Sequence, residues 1–269
     1  PSDVSDGGIL VSAIGVDVSL TDLYVHYGDT YVSVTGTIVI EAGTSITFYN
    51  YLSIQENHIR ISGSTNMYID ATFDINGTVG TLNGWFNVST SSDYVEIWWN
   101  LSTPYFKLYT GGVGVSIEQF YFNLGEITVS ADSISFGAVG SLIIENTTGG
   151  ILITADMAAA INVVNIDIIF NETEIGVDGI ININADGSIL VNLSGGHILV
   201  DDADLVGLVD FDMNYNGTAV SLSGTFTFNG FLELYWDLVD LDISLDVNAL
   251  ASVSDFSFTY GENITISAS

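Results

Sequence analysis

The 269-residue sequence has no cysteine, which removes thiol catalysis, thiolate metal sites, haem attachment and disulfide staples. Basic residues are almost missing as well. Arg60 and Lys107 stand against 33 Asp and Glu, for a formal net charge of −31. Phosphate recognition depends on Lys and Arg, so nucleic acid and anionic membrane surfaces are not expected partners. No apolar run reaches the roughly 18 residues that a membrane-spanning helix needs, so no membrane insertion is predicted. The segment after Pro1 has neither a basic nor an apolar leader character, and export is expected to follow removal of a signal upstream of this numbering. A helical hydrophobic period is also wanting. The one stretch that tempts a helix assignment, 155–161, is short, uncapped and flanked by β-branched runs, and it reads as strand or loop.

What is present is apolar and aromatic. Hydrophobic residues make up 48 %, mean hydropathy is +0.45, and there are 14 Phe, 13 Tyr and 4 Trp, which separates the chain from disordered acidic tails. Apolar and polar residues alternate strictly. Val16, Val18 and Leu20 are interleaved with Asp17 and Ser19, and Val239, Leu241, Ile243, Leu245 and Val247 with Asp240, Asp242, Ser244 and Asp246. A period of two places one side of each strand in a core and the other in water. The expected fold is all-β: antiparallel hairpin repeats in a meander, packed as an elongated sandwich or extended sheet, in one domain over 1–269. A β-propeller is the alternative, because the repeat length of about 47 residues also suits a blade.

The repeat reads apolar-x-apolar-x-Gly-x-apolar-x-apolar. It is centred on Gly36, Gly84, Gly140, Gly179 and Gly224, and the five copies predict about five hairpins. Each is followed by turn residues and a second alternating run, with Asn184-Ala185-Asp186-Gly187 and Asn229-Gly230 as the clearest turn signals. The recurring glycine shares the inward phase. It is expected either to let the strand bend or to make room for a large residue opposite, such as Phe48 or Trp99. Between Leu232 and Val247 the inward phase slips by one residue. With no Gly, Asn or Pro at Leu238, this reads as a bulge in a continuous strand of about 16 residues, roughly 50 Å long.

Catalytic motifs are missing. His26, His58 and His197 lie in unrelated segments without metal-ligand spacing, and neither a nucleophile elbow nor a phosphate-binding Gly loop with Lys occurs. No cofactor is required by any motif. Calcium is the most plausible ligand, through Asp201, Asp202 and Asp204 in an expected loop after Gly195-Gly196, because hard carboxylate oxygens suit that ion. Asp237, Asp240, Asp242 and Asp246 form a second acidic stripe that divalent cations would bridge to neighbouring copies. In the clusters Tyr94, Trp98, Trp99 and Tyr235, Trp236, adjacent aromatics must point to opposite faces, so one of each pair is expected outward, suited to a sugar ring or a subunit contact.

Asn-x-Ser/Thr sequons occur at Asn76, Asn87, Asn100, Asn146, Asn171, Asn192, Asn216 and Asn263. They are about twice as frequent as chance gives and point to N-linked glycans and an extracellular or cell-surface location. Asn146 and Asn216 are expected at turns, Asn100 and Asn192 within strands. With scarce Lys and Arg, no Cys, many sequons and Ile/Val/Thr-rich alternation, the whole chain resembles, in composition, archaeal surface glycoproteins of the sheath, surface-layer and β-rich pilus kind. That resemblance implies a non-enzymatic, self-associating structural subunit whose main partner is itself, as a filament, sheath or layer. It further implies a donor strand near the N-terminus (residues 1–20), with Ile9, Leu10 and Val11 completing a neighbour's sheet. A secreted carbohydrate-binding adhesin or a carrier of a hydrophobic ligand is the competing reading.

Overall fold

The computed structural model describes residues 8–27, 30–40, 42–50, 57–75, 77–90, 92–103, 105–148, 150–156, 160–171, 173–192, 195–215, 218–237, 242–247, 252–261 and 264–268. Among them there are twenty strands and no helix. In chain order these are β1 (Gly8–Ser12), β2 (Val18–Tyr27), β3 (Thr30–Ile40), β4 (Ser45–Asn50), β5 (Asn57–Ser62), β6 (Thr65–Ile75), β7 (Thr78–Val88), β8 (Tyr94–Asn100), β9 (Tyr105–Thr110) and β10 (Val115–Leu124). They continue as β11 (Ile127–Phe136), β12 (Gly140–Thr147), β13 (Gly150–Asp156), β14 (Ile161–Phe170), β15 (Thr173–Asn192), β16 (His197–Tyr215), β17 (Thr218–Asp237), β18 (Asp242–Val247), β19 (Ser252–Tyr260) and β20 (Ile264–Ala268).

All pairings are antiparallel, and they form two open sheets with a meander-like order and no closed barrel among the described residues. In the first sheet the order is β1, β4, β5, β8, β9, β12, β13, then the C-terminal part of β15, the N-terminal part of β16, the C-terminal part of β17, and β18. In the second it is β2, β3, β6, β7, β10, β11, β14, then the other parts of β15, β16 and β17, and finally β19 and β20. The chain therefore lays two strands in one sheet, turns a corner, lays two in the other, and repeats. Each round adds a hairpin to each sheet. Continuous ladders of this kind replace the separate blades of a propeller.

Corners and hairpin turns occupy opposite ends of the strands. Early corners are short connections tied by backbone bonds, such as Ala13 N–H to the Thr44 carbonyl (3.1 Å) and Gly63 N–H to the Asp93 carbonyl (3.3 Å). Three later corners are made without interruption by β15, β16 and β17, which are 20, 19 and 20 residues long and cross from one sheet to the other. This corrects two expectations. Asn229-Gly230 is no hairpin turn: Asn229 pairs with Asp204 and Gly230 with Ala203, and the strand runs on. Asn184 to Gly187 likewise sit inside β15, where the register shifts between Ile183 and Ser188. Turn-forming residues here mark the bend of a strand between sheets.

The long strand expected over 232–247 is also corrected. β17 ends at Asp237, and Asp242 of β18 pairs back onto it. Opposed residues share a face, and here Leu234 opposes Leu245, an even number against an odd one. A hairpin with that register inverts the inward parity just as a bulge does. The third repeat copy fails too, because Phe136 ends β11 and Gly140 begins β12 in the other sheet.

The inward faces of both sheets form one hydrophobic core. Its centre is aromatic. Trp99 of the first sheet lies 5.6 Å from Phe122 and 6.3 Å from Phe73 of the second, and Phe106 lies 5.3 Å from Phe122 (ring centroids). Further along, Trp236 meets Phe258 at 5.4 Å.

Candidate functional site: open edges and surface clusters

An open sandwich ends in unpaired strand edges. At one end these belong to β1 and β2, and at the other to β18 and β20; among the described residues each pairs on one side only. Natural edges are usually blunted with charge, since a bare row of N–H and C=O groups invites another strand. β1 (GILVS) and β20 (ITISA) carry no charge at all. Exposed apolar side chains stand on them, Leu10 at 51 % and Ile266 at 42 %. The predicted donor residues Ile9, Leu10 and Val11 pair with Phe48, Thr47 and Ile46 of β4 in the same chain, so in the isolated chain this segment completes its own sheet.

The two basic residues come together on the outer face of the first sheet. Cross-strand register aligns Arg60, Glu96 and Tyr109 in one row and His58, Trp98 and Lys107 in the next. The Arg60 guanidinium lies 3.7 Å from the centre of the Tyr94 ring and 3.5 Å from a Glu96 oxygen. The Trp98 indole donates to Glu96 Oε2 (3.1 Å) and stacks on His58 at 3.9 Å. Burial, reinforced by the Arg60 charge, pushes His58 down to about 4, so the ring is neutral near pH 7. On the same face Tyr105 is pushed up to about 12 by burial and by the carboxylates of Glu145 and Asp156. His197 contacts Glu233 at 2.8 Å. Around Arg60, Lys107 and Trp98 these groups form a cation–aromatic cluster on the outer face.

Alternation sorts the aromatic pairs. Trp98 faces outward while Trp99 is buried, and Tyr235 is exposed at 38 % above a buried Trp236. Trp85 stands outside the aromatic clusters visible in the sequence. It is the most exposed tryptophan, packs against Tyr68 at 4.8 Å, and lines a shallow depression with Asn66, Asn87 and Glu118 on the outer face of the second sheet. Its outward phase between inward Gly84 and Phe86 was available from the repeat itself.

The candidate calcium residues are not in a loop. Asp201, Asp202 and Asp204 lie within β16, with a register shift between Asp201 and Ala203. Asp201 is exposed, and among the described residues no group of three potential ligands is placed to hold a metal. Carboxylates do oppose one another at single positions, such as Asp178 and Asp210 on the second sheet. On the second sheet, Asp167 is raised by partial burial and by Asp178, with Glu174 and Asp132 adding to the effect. Of the acidic stripe, Asp237 opposes Asp242, Asp246 opposes Glu233, and Asp240 lies outside the described residues.

The sequons segregate. Asn100 and Asn192 end β8 and β15, Asn146 is next to last in β12, and Asn171 occupies the turn between β14 and β15. Asn87 is next to last in β7 and exposed, at the corner end of its strand and not the hairpin end. Asn76, Asn216 and Asn263 are outside the described residues; in sequence they fall between β6 and β7, β16 and β17, and β19 and β20.

The arrangement defines an open-ended, hairpin-repeat β-sandwich with a filled core and two uncharged edge strands. Compared with known proteins, this chain matches no family model, no curated protein and no solved structure.

Proposed function

We propose that this chain is a non-enzymatic structural subunit of an extracellular or cell-surface assembly, a filament, sheath or layer, and that copies join by strand pairing at the ends of the sandwich. The observation that carries the reading is the pair of uncharged, incompletely paired edge strands on a molecule whose net charge is −31. Charge also selects the mode of joining. Joining like ends would set acidic β18 against its own copy, whereas head-to-tail stacking sets β20 beside β2. β20 runs toward the corners and β2 away from them, so the second sheet continues antiparallel across that junction. A heterologous contact of this kind does not close and generates a filament. Ile9, Leu10 and Val11 remain the candidate donor strand for exchange in the first sheet. Divalent cations, calcium first, would screen or bridge the acidic outer faces.

Electron microscopy of the purified chain, with and without EDTA, tests the reading. Filaments or sheets are expected. Thr265→Asp with Ser267→Asp, which charges the β20 edge, should abolish them while the far-ultraviolet strand signal is kept. A monodisperse monomer under every ionic condition would overturn the proposal.

A second reading, a carbohydrate-binding adhesin, rests on Trp85 with Asn66, Asn87 and Glu118, a ring edged by polar groups that suits a sugar face. Saturable binding of oligosaccharides from a glycan array, lost in Trp85→Ala with assembly unchanged, would favour it.

A further inference from the structure

The hairpin turns of both sheets line one side of the sandwich. Asn171 of the second sheet donates its N–H to the Glu126 carbonyl of the next hairpin (3.0 Å). A Cβ added at Gly125 in that hairpin would lie 3.5 Å from Leu101, in a turn of the first sheet. Four described sequons, Asn100, Asn146, Asn171 and Asn192, stand on this rim.

We propose that the rim is the N-glycosylated face of the protein and that its glycans form a regular comb, leaving the corner side bare. Asn100, Asn146 and Asn192 belong to three successive hairpins of the first sheet, joined directly by the β9–β12 and β13–β15 pairings. They are 46 residues apart in each interval (146 − 100 and 192 − 146). One strand lies between each and the next, so at two strand spacings their backbones are roughly 9–10 Å apart along the rim. The local geometry suits the modification. Asn100 Oδ1 accepts the Ser102 N–H (2.9 Å) and Asn192 Oδ1 accepts the Gly195 N–H (2.8 Å). A glycosylated asparagine keeps that oxygen and carries the sugar on Nδ2. Asn146 and Asn171 are exposed. In the transfer, Nδ2 attacks C1 of the first sugar of a lipid-linked oligosaccharide phosphate. The C1–Nδ2 bond forms, the C1–O bond to phosphate breaks, the lipid phosphate leaves with the electron pair, and Nδ2 loses one proton.

Turn chemistry alone also favours Asn at a hairpin followed by Thr or Ser at the start of the next strand. Occupancy decides between the two origins. The proposal rests on the reading that the chain is exported. Mass spectrometry of peptides from the chain isolated from the cells that make it should show sugar mass increments at Asn100, Asn146, Asn171 and Asn192. All of these should be lost in the variant carrying Asn→Gln at the four positions. Unmodified peptides at the four sites, or modification confined to Asn87, would overturn the comb. Microscopy of the same preparations scores assembly separately: filaments of an unglycosylated chain overturn the comb and leave the assembly reading standing, and a glycosylated chain that never assembles does the reverse.

Discussion

Gly36 and Gly84 show what the repeated glycine is for. Both have positive φ, +117° and +147°, and each faces a residue of the neighbouring strand, Asp22 and Gln119, held in the left-handed region. A Cβ on Gly84 would sit 3.2 Å from the Glu118 carbonyl oxygen, and one on Gly36 would meet the Asp70 carbonyl. The neighbour that excludes a side chain is backbone, in place of the large residue opposite that the sequence suggested. Gly84→Ala should therefore destabilise by about 1–3 kcal/mol, read from chemical denaturation. His58 makes a second residue-scale prediction. Its folded value of about 4 lies below the ordinary 6.5, so between these pH values the unfolded chain binds a proton that the folded chain refuses. Stability thus falls as pH drops from 6.5 towards 4, by up to about 3 kcal/mol. His58→Phe keeps a ring against Trp98 and should flatten that part of the curve.

At the scale of elements, a crease of bulges crosses the second sheet. Gln119, Asp132 and Asn165 are left out of the ladders between three successive strands, the register itself shifts on either side, where β10 meets β7 and β14 meets β15, and Gln119 and Asn165 have φ of +53° and +49°. Asn165 fixes the crease, since its Oδ1 accepts the Gly179 N–H (2.8 Å) and its Nδ2 donates to Asp132 (2.6 Å). Bulges add local twist, which an open sheet of this width needs in order to coil over its partner. Asn165→Ala loses both bonds and must adopt a left-handed backbone without help, so a loss of roughly 2 kcal/mol is expected. Asn165→Gly, which tolerates that backbone, should cost less; equal losses in the two variants would remove the conformational part of the argument.

For the whole molecule, charge is the dominant unfavourable field. Thirty-three carboxylates against two bases repel one another across the outer faces, and the repulsion is screened over a Debye length of about 10 Å at 0.1 M salt. The melting temperature should climb as salt is raised from a few millimolar, and more steeply with calcium if cations bridge the acidic rows. Asp167 feels partial burial first and the same field second, through Asp178. Its folded value is raised, so the folded chain holds a proton more tightly than the unfolded chain; stability falls as pH rises through that range, opposite in sign to His58. Asp167→Asn should then raise stability at neutral pH, and a thermal melt showing a decrease would contradict the assignment.

Alternation by itself determined that the chain is all-β, that each strand buries one side, and that one aromatic of each adjacent pair faces outward, because a period of two has only one reading on a pleated backbone; the structure places Trp99 and Trp236 in the core and Trp98 and Tyr235 on the surface. Tertiary structure decided where the chain turns. Asn229-Gly230 and Asn184 to Gly187 have hairpin composition yet bend continuous strands between sheets, and the parity inversion near Leu238 belongs to a hairpin. Local composition records that a backbone must deviate; whether it reverses or crosses depends on which strand lies opposite, and that is settled only by long-range pairing. The common side shared by Asn100, Asn146, Asn171 and Asn192 follows from the same pairing, since residues 46 apart become neighbours only when their hairpins are stacked in register.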